Sequence, residues 1–74
     1  MFPNPTEGRF SVRSDSAGWF AIYDATGRLI RRPRPLTSGV PLPISAAGWS
    51  AGTYFVRFGD EAGRSKVLPL VVVP

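Results

Sequence analysis

Proline and glycine decide most of what this chain can fold into. Proline has no amide N–H to donate, and glycine loses the most backbone freedom when it is ordered. With eight of each in 74 residues, the chain is punctuated every few positions and long helices are excluded. Short strands joined by turns are what remains. Their core must suffice alone, because the chain has neither cysteine nor histidine. That removes disulfides, thiolate nucleophiles, the usual zinc ligands and imidazole acid–base catalysis. A domain this short buries only about 60% of its unfolded surface, so stability is expected to be marginal.

The length allows one domain, residues 1–74. At 43% hydrophobic and 19% charged residues the composition is that of a folded domain rather than a disordered one. No apolar run approaches the roughly 20 residues of a membrane helix. The longest, residues 67–74, is short and holds Pro69 and Pro74. Met1-Phe2-Pro3-Asn4-Pro5 lacks the basic start and apolar stretch of a secretory signal, and Met1 reads as a truncated boundary rather than a natural N-terminus.

Hydrophobic alternation places the strands. Arg9-Phe10-Ser11-Val12-Arg13 puts Phe10 and Val12 on one face. Trp19-Phe20-Ala21-Ile22-Tyr23-Asp24 is rich in β-formers, with Phe20 and Ile22 expected inside. Asp24-Ala25-Thr26-Gly27 is a tight connection in which Gly27 can take positive φ, and Arg28-Leu29-Ile30-Arg31 returns as a hairpin partner. Residues 32–38 read as a polar loop. In Val40-Pro41-Leu42-Pro43-Ile44 the prolines allow only an edge strand, with Val40, Leu42 and Ile44 on one face. Gly52-Thr53-Tyr54-Phe55-Val56-Arg57-Phe58 is the strongest strand, with Tyr54, Val56 and Phe58 alternating against Phe55. A turn over residues 59–63 leads into a closing strand over residues 64–73. Six or seven such strands predict a small, antiparallel, all-β sandwich.

The formal charge is +4 and the isoelectric point about 10.8, compatible with an anionic surface, nucleic acid or an acidic partner. Arg28, Arg31, Arg32 and Arg34 crowd one stretch, which reads either as a solvated segment that discourages edge pairing or as a patch for phosphate or carboxylate groups. No two prolines around Arg32 and Arg34 stand three apart, so a proline-rich ligand motif is weak.

No catalytic constellation is legible. Ser65 and Lys66 are adjacent, so a strand would point them to opposite faces. Asp60 and Glu61 fall in a hairpin tip where water keeps both ionised, and Asp24 is expected to bond its own backbone rather than a metal. Trp19, Tyr54, Phe55 and Phe58 offer a stacking platform or, more simply, core and cover, with Phe55 and Trp49 the aromatic residues expected to be exposed.

The order of the motifs says more than any one of them. Phe2-Pro3-Asn4-Pro5-Thr6-Glu7-Gly8-Arg9-Phe10-Ser11-Val12 opens the chain. Ile22-Tyr23-Asp24-Ala25-Thr26-Gly27-Arg28 and Ser50-Ala51-Gly52-Thr53-Tyr54-Phe55-Val56-Arg57 follow, and Arg64-Ser65-Lys66 leads into the apolar tail Val67-Leu68-Pro69-Leu70-Val71-Val72-Val73. This succession resembles the type IX secretion C-terminal sorting domain, type A, of Bacteroidota.

The resemblance implies an immunoglobulin-like sandwich with no catalytic, cofactor or metal site. It implies a folded address carried by an upstream cargo, which passes through the periplasm to the cell surface or beyond. Its partners would be the translocon, shuttle and sortase proteins of that system, the sortase removing the domain. Pro3, Asn4, Pro5, Gly8, Asp24, Gly27, Gly52 and Tyr54 match the motif and read as structural. Lys66, Leu70, Val71, Val72 and Val73 match the recognition tail, and Arg28, Arg31 and Arg32 join them as candidate partner contacts. Pro41, Pro43, Pro69 and Pro74 depart from the family, and Pro69 questions the register of the tail. An adhesion or carbohydrate-binding sandwich is the second reading, and a single-stranded nucleic-acid module the third, with nucleic acid not expected as a partner.

Overall fold

A computed structural model describes residues 8–73. Its strands run in the order β1 (Arg9–Val12), β2 (Gly18–Asp24), β3 (Leu29–Leu36), β4 (Leu42–Ser45), β5 (Gly52–Asp60) and β6 (Ser65–Val72). β1 and β4 pair antiparallel as a two-stranded sheet, and the other four form an antiparallel sheet in the order β3-β2-β5-β6. The all-β sandwich expected from the alternation is the observed fold. Residues 1–7, with Pro3, Asn4 and Pro5, and residue 74 lie outside the described residues.

Proline distributes by hydrogen-bonding need. The central strands β2 and β5 have none, whereas Pro33 and Pro35 lie on β3, Pro43 on β4 and Pro69 on β6. Among the described strands each of those three stands at an edge of its sheet, the position in which a residue that lacks an N–H is tolerated. This corrects two expectations. Residues 32–36 are strand rather than loop, because β3 follows β2 as far as Gly18 opposite Leu36. The register shifts between Phe20 and Tyr23 absorb extra residues of β3. Pro69 leaves the tail register unbroken from Ser65 opposite Gly59 to Val72 opposite Gly52. The Asp60 N–H bonds the Arg64 carbonyl oxygen at 3.0 Å. Ladder alternation from that bond turns the Pro69 nitrogen away from β5.

The inner face of the large sheet supplies Phe20 and Ile22 from β2, Tyr54, Val56 and Phe58 from β5, and Leu70 and Val72 from β6. Phe10, Val12 and Ile44 of the small sheet close over them, with Leu36 and Ala46 at the margin. Burying each aliphatic or aromatic side chain stabilises by about 1.5–3 kcal/mol, so the alternation along β5 supplies much of the driving force. Val40 breaks the expected pattern. It stands before β4 and is exposed, its N–H held by the Thr37 carbonyl at 3.1 Å in a turn.

Candidate recognition surface

Of the matched motif residues, Asp24, Gly27, Gly52 and Tyr54 stand in turns and at the start of a strand. In the β2–β3 turn, Asp24 Oδ1 accepts the N–H groups of Thr26 and Arg28, both at 2.9 Å, and the Thr26 hydroxyl at 2.6 Å. The Asp24 N–H donates to the Arg28 carbonyl at 2.9 Å, and Gly27 closes the turn with φ of 88°. These bonds hold the Asp24 carboxyl below its ordinary value of 3.8, the Thr26 hydroxyl being the largest cause and the Arg28 N–H the next. All of this is local bonding, as the sequence led one to expect of Asp24.

The sequence reading missed that the β5–β6 turn repeats the design. Asp60-Glu61-Ala62-Gly63-Arg64 has the same aspartate, glycine and arginine spacing as Asp24-Ala25-Thr26-Gly27-Arg28. Asp60 Oδ1 accepts the N–H groups of Ala62 and Arg64 at 3.0 and 2.9 Å, and Gly63 has φ of 83°. The Arg64 Nε also reaches Asp60 Oδ2 at 2.9 Å. The Asp60 carboxyl is likewise lowered, first by the Arg64 N–H. The signal was present in the spacing itself.

Tyr54 is a further structural device. Its hydroxyl donates to the Ser50 carbonyl, four residues upstream, at 2.7 Å. This is the tyrosine corner of immunoglobulin-like sandwiches, which satisfies a buried phenol and pins the connector to the strand. Gly52, at φ of 150°, lets the chain enter β5 just before it. Trp49 is not the exposed aromatic that its position suggested. Its ring meets Phe10 edge-on at 6.1 Å, leans on Tyr54 at 5.1 Å and has the Arg31 guanidinium 5.6 Å above it. An open cleft of about 400 Å³ lies beside it, between the first turn and the connector, lined by Asp24, Thr26, Arg28, Trp49 and Tyr54.

The residues expected to contact partners separate into different places. Leu70 and Val72 are core, so the tail cannot present itself along its whole length. Lys66 is exposed, its Nζ 5.6 Å over the Phe58 ring, while Val71 is exposed and Val73 half-buried beyond the end of β6. Arg28 belongs to its turn, 3.7 Å from Asp24. Arg31 donates to the Ser45 carbonyl at 3.3 Å, and Arg32 follows it on exposed β3. β3 and β6 are opposite edges of the sheet, so the arginines and Lys66 do not form one patch. Among the described residues no group of His, Cys, Asp and Glu side chains could hold a metal ion, and no helix is long and apolar enough to cross a membrane.

Residues 1–72 match the family described as the secretion system C-terminal sorting domain. The chain belongs to that family. No curated protein and no solved structure matches it. The family is that of type IX secretion, and membership makes the domain a C-terminal sorting signal for export to the cell surface or outside. Interaction with the secretion machinery follows from the same membership. In this sorting domain the tight β2–β3 turn and the tyrosine-bearing strand both help to hold the sandwich together.

Proposed function

We propose that this domain is a non-catalytic recognition module, read in its folded state by the outer-membrane translocon and its shuttle proteins after its cargo has reached the periplasm. A sortase then cleaves it from the cargo. The match of residues 1–72 to the sorting-domain family carries the reading. It is supported by motif residues committed to turns and core, which leaves recognition to surface groups on a preformed scaffold. Rigid presentation of a surface lowers the ordering cost of each encounter, which suits a signal that must bind and be released.

The test is a fluorescent reporter with an inner-membrane export signal and these 74 residues at its C-terminus. It is expressed in a type IX-competent bacterium and in a translocon-deficient sibling. Reporter reaching the surface or medium only in the competent strain, shortened by the mass of the domain, is the expected result. Reporter held in the periplasm of both strains, with the domain folded, overturns the sorting role. Surface reporter that keeps the domain overturns the cleavage step alone.

A further inference from the structure

The outer face of the four-stranded sheet is more apolar than a solvent-facing sheet needs to be. Leu29 pairs with Tyr23, Tyr23 with Phe55 and Phe55 with Pro69, so one cross-strand row of apolar side chains runs over β3, β2, β5 and β6. The next row sets Ala21 beside Arg57 and Arg57 beside Val67. Leu29 (45% exposed), Phe55 (37%), Val67 (55%) and Val71 (38%) all lie on this side, leaving Val40 as the one other large hydrophobic residue of comparable exposure among those described. The core is complete without these residues, since the inner-face cluster includes none of them. Contiguous apolar surface of this kind marks interaction sites, whereas scattered exposed residues do not.

Charge narrows the occupant. No carboxylate stands among the strand residues of this face; Asp24 and Asp60 have inward parity and are bound into their turns. Arg57 sits in the middle of the patch and has no ion pair among the described residues, where the pairs formed are Arg28–Asp24 and Arg64–Asp60. A second copy docked face to face would bring one Arg57 towards the other across an apolar contact, where like charges are costly. A membrane surface fits poorly because no large apolar side chain projects from the hairpin tips that border the face. The Trp19 ring lies against Gly59, where an added Cβ would overlap it, and the hairpin tips carry Asp, Thr, Glu and Arg rather than apolar side chains.

We propose that this face, centred on Tyr23, Phe55, Arg57 and Val67, is the docking surface for a protein of the secretion machinery that presents an apolar patch around a carboxylate. The inference rests on the sorting role and names the surface that performs it. Apolar contact would supply the affinity, and pairing of Arg57 with the partner's carboxylate would set orientation and exclude basic competitors.

The reporter assay tests it with four variants of the fused domain. Phe55→Thr combined with Val67→Thr removes the apolar row while keeping β-formers in the strands. Arg57→Glu reverses the central charge on an exposed position, so it tests the face even if the double variant fails to fold. Arg57→Lys keeps the charge, and Val40→Thr makes the same apolar-to-polar change off the face. Purified domains are compared by urea unfolding, sedimentation and flotation with phosphatidylglycerol vesicles. The expected result is about tenfold less secreted reporter for the double variant and for Arg57→Glu, as for the loss of a central contact. Arg57→Lys and Val40→Thr should stay near the parent domain, which should be monomeric and not float. Undiminished secretion of folded Arg57→Glu overturns the inference and leaves the sorting role standing. A dimer, or vesicle binding, abolished by the same substitutions overturns it in favour of a second copy or a lipid surface. Failure of the parent domain to be secreted removes the sorting role and this inference together.

Discussion

The two hairpin turns of the large sheet share one pattern and differ in their surroundings. Each has an aspartate that accepts two backbone N–H groups, a glycine near φ of 85° and an arginine four residues on. In the β2–β3 turn the second oxygen is only loosely engaged, with Arg28 Nε at 3.7 Å, and the Thr26 hydroxyl completes the shell of the first. In the β5–β6 turn Ala62 has no hydroxyl, and Arg64 closes on Asp60 at 2.9 Å instead. The neighbouring strand differs as well. Asp24 faces Tyr54 and its corner, whereas Asp60 faces Gly18, where no side chain fits. The shared part is a way to close a hairpin, and it works wherever it is placed. A motif used twice for the same mechanical task is scaffold, which is why recognition is better sought on the outer face.

The largest test of this comparison lies at the close approach beside the second turn. A Cβ on Gly18 would overlap the backbone oxygen of Gly59, which cannot move without breaking the β2–β5 ladder. Gly18→Ala should therefore cost about 3 kcal/mol or leave the domain unfolded, read by urea denaturation. Gly59→Ala should cost less, because its Cβ would meet the Trp19 side chain, which can swing outward. Equal losses would mean that the backbone contact is not the constraint.

The turn glycines come next. Gly27→Val and Gly63→Val each force a β-branched residue into positive φ and should each destabilise by about 2 kcal/mol. Similar losses at the two turns support one shared design, while a loss at only one would break it. Tyr54→Phe should follow at about 1 kcal/mol by leaving the Ser50 carbonyl without its phenol donor.

The smallest effects separate the two aspartates. Both carboxyls have lowered values when folded, so the folded protein binds their protons less tightly than the unfolded chain does. Their contribution to stability is full above the ordinary value of 3.8 and is lost as the pH falls through the lowered folded values. The urea midpoint should be flat towards neutral pH and fall below pH 3.8, and Asp24→Asn with Asp60→Asn should flatten that decline. Carboxyl titration by NMR should show Thr26→Ala raising the Asp24 value alone and Arg64→Met raising the Asp60 value alone. A shift of both by either substitution would mean that the turns are coupled through the sheet.

Much of the fold was legible because its signals are local. The strand alternation around Phe20, Val56 and Phe58, the edge character of Pro43 and the positive φ of Gly27 need only a few neighbouring residues. Trp49 was misjudged because its neighbours, Phe10 and Arg31, come from distant strands. Residues 32–36 looked like a loop because their partners lie at the far end of β2, past two register shifts, and proline tolerance depends on being at an edge. Leu70 and Val72 match a recognition tail by motif, yet the pairing of β6 with β5 turns them inward.

From its amino-acid sequence alone this chain is committed to short strands, tight turns and an all-β class, and its motif order places it with sorting domains. Those properties follow from proline and glycine chemistry, side-chain alternation and spacing, which act over a few residues. The alternation already marked the inward faces of β1, β2 and β5, whereas only the tertiary structure decided the facing of β6 and which residues of different strands became neighbours. The row Leu29, Tyr23, Phe55 and Pro69 exists because inter-strand register brings together residues that are distant along the chain.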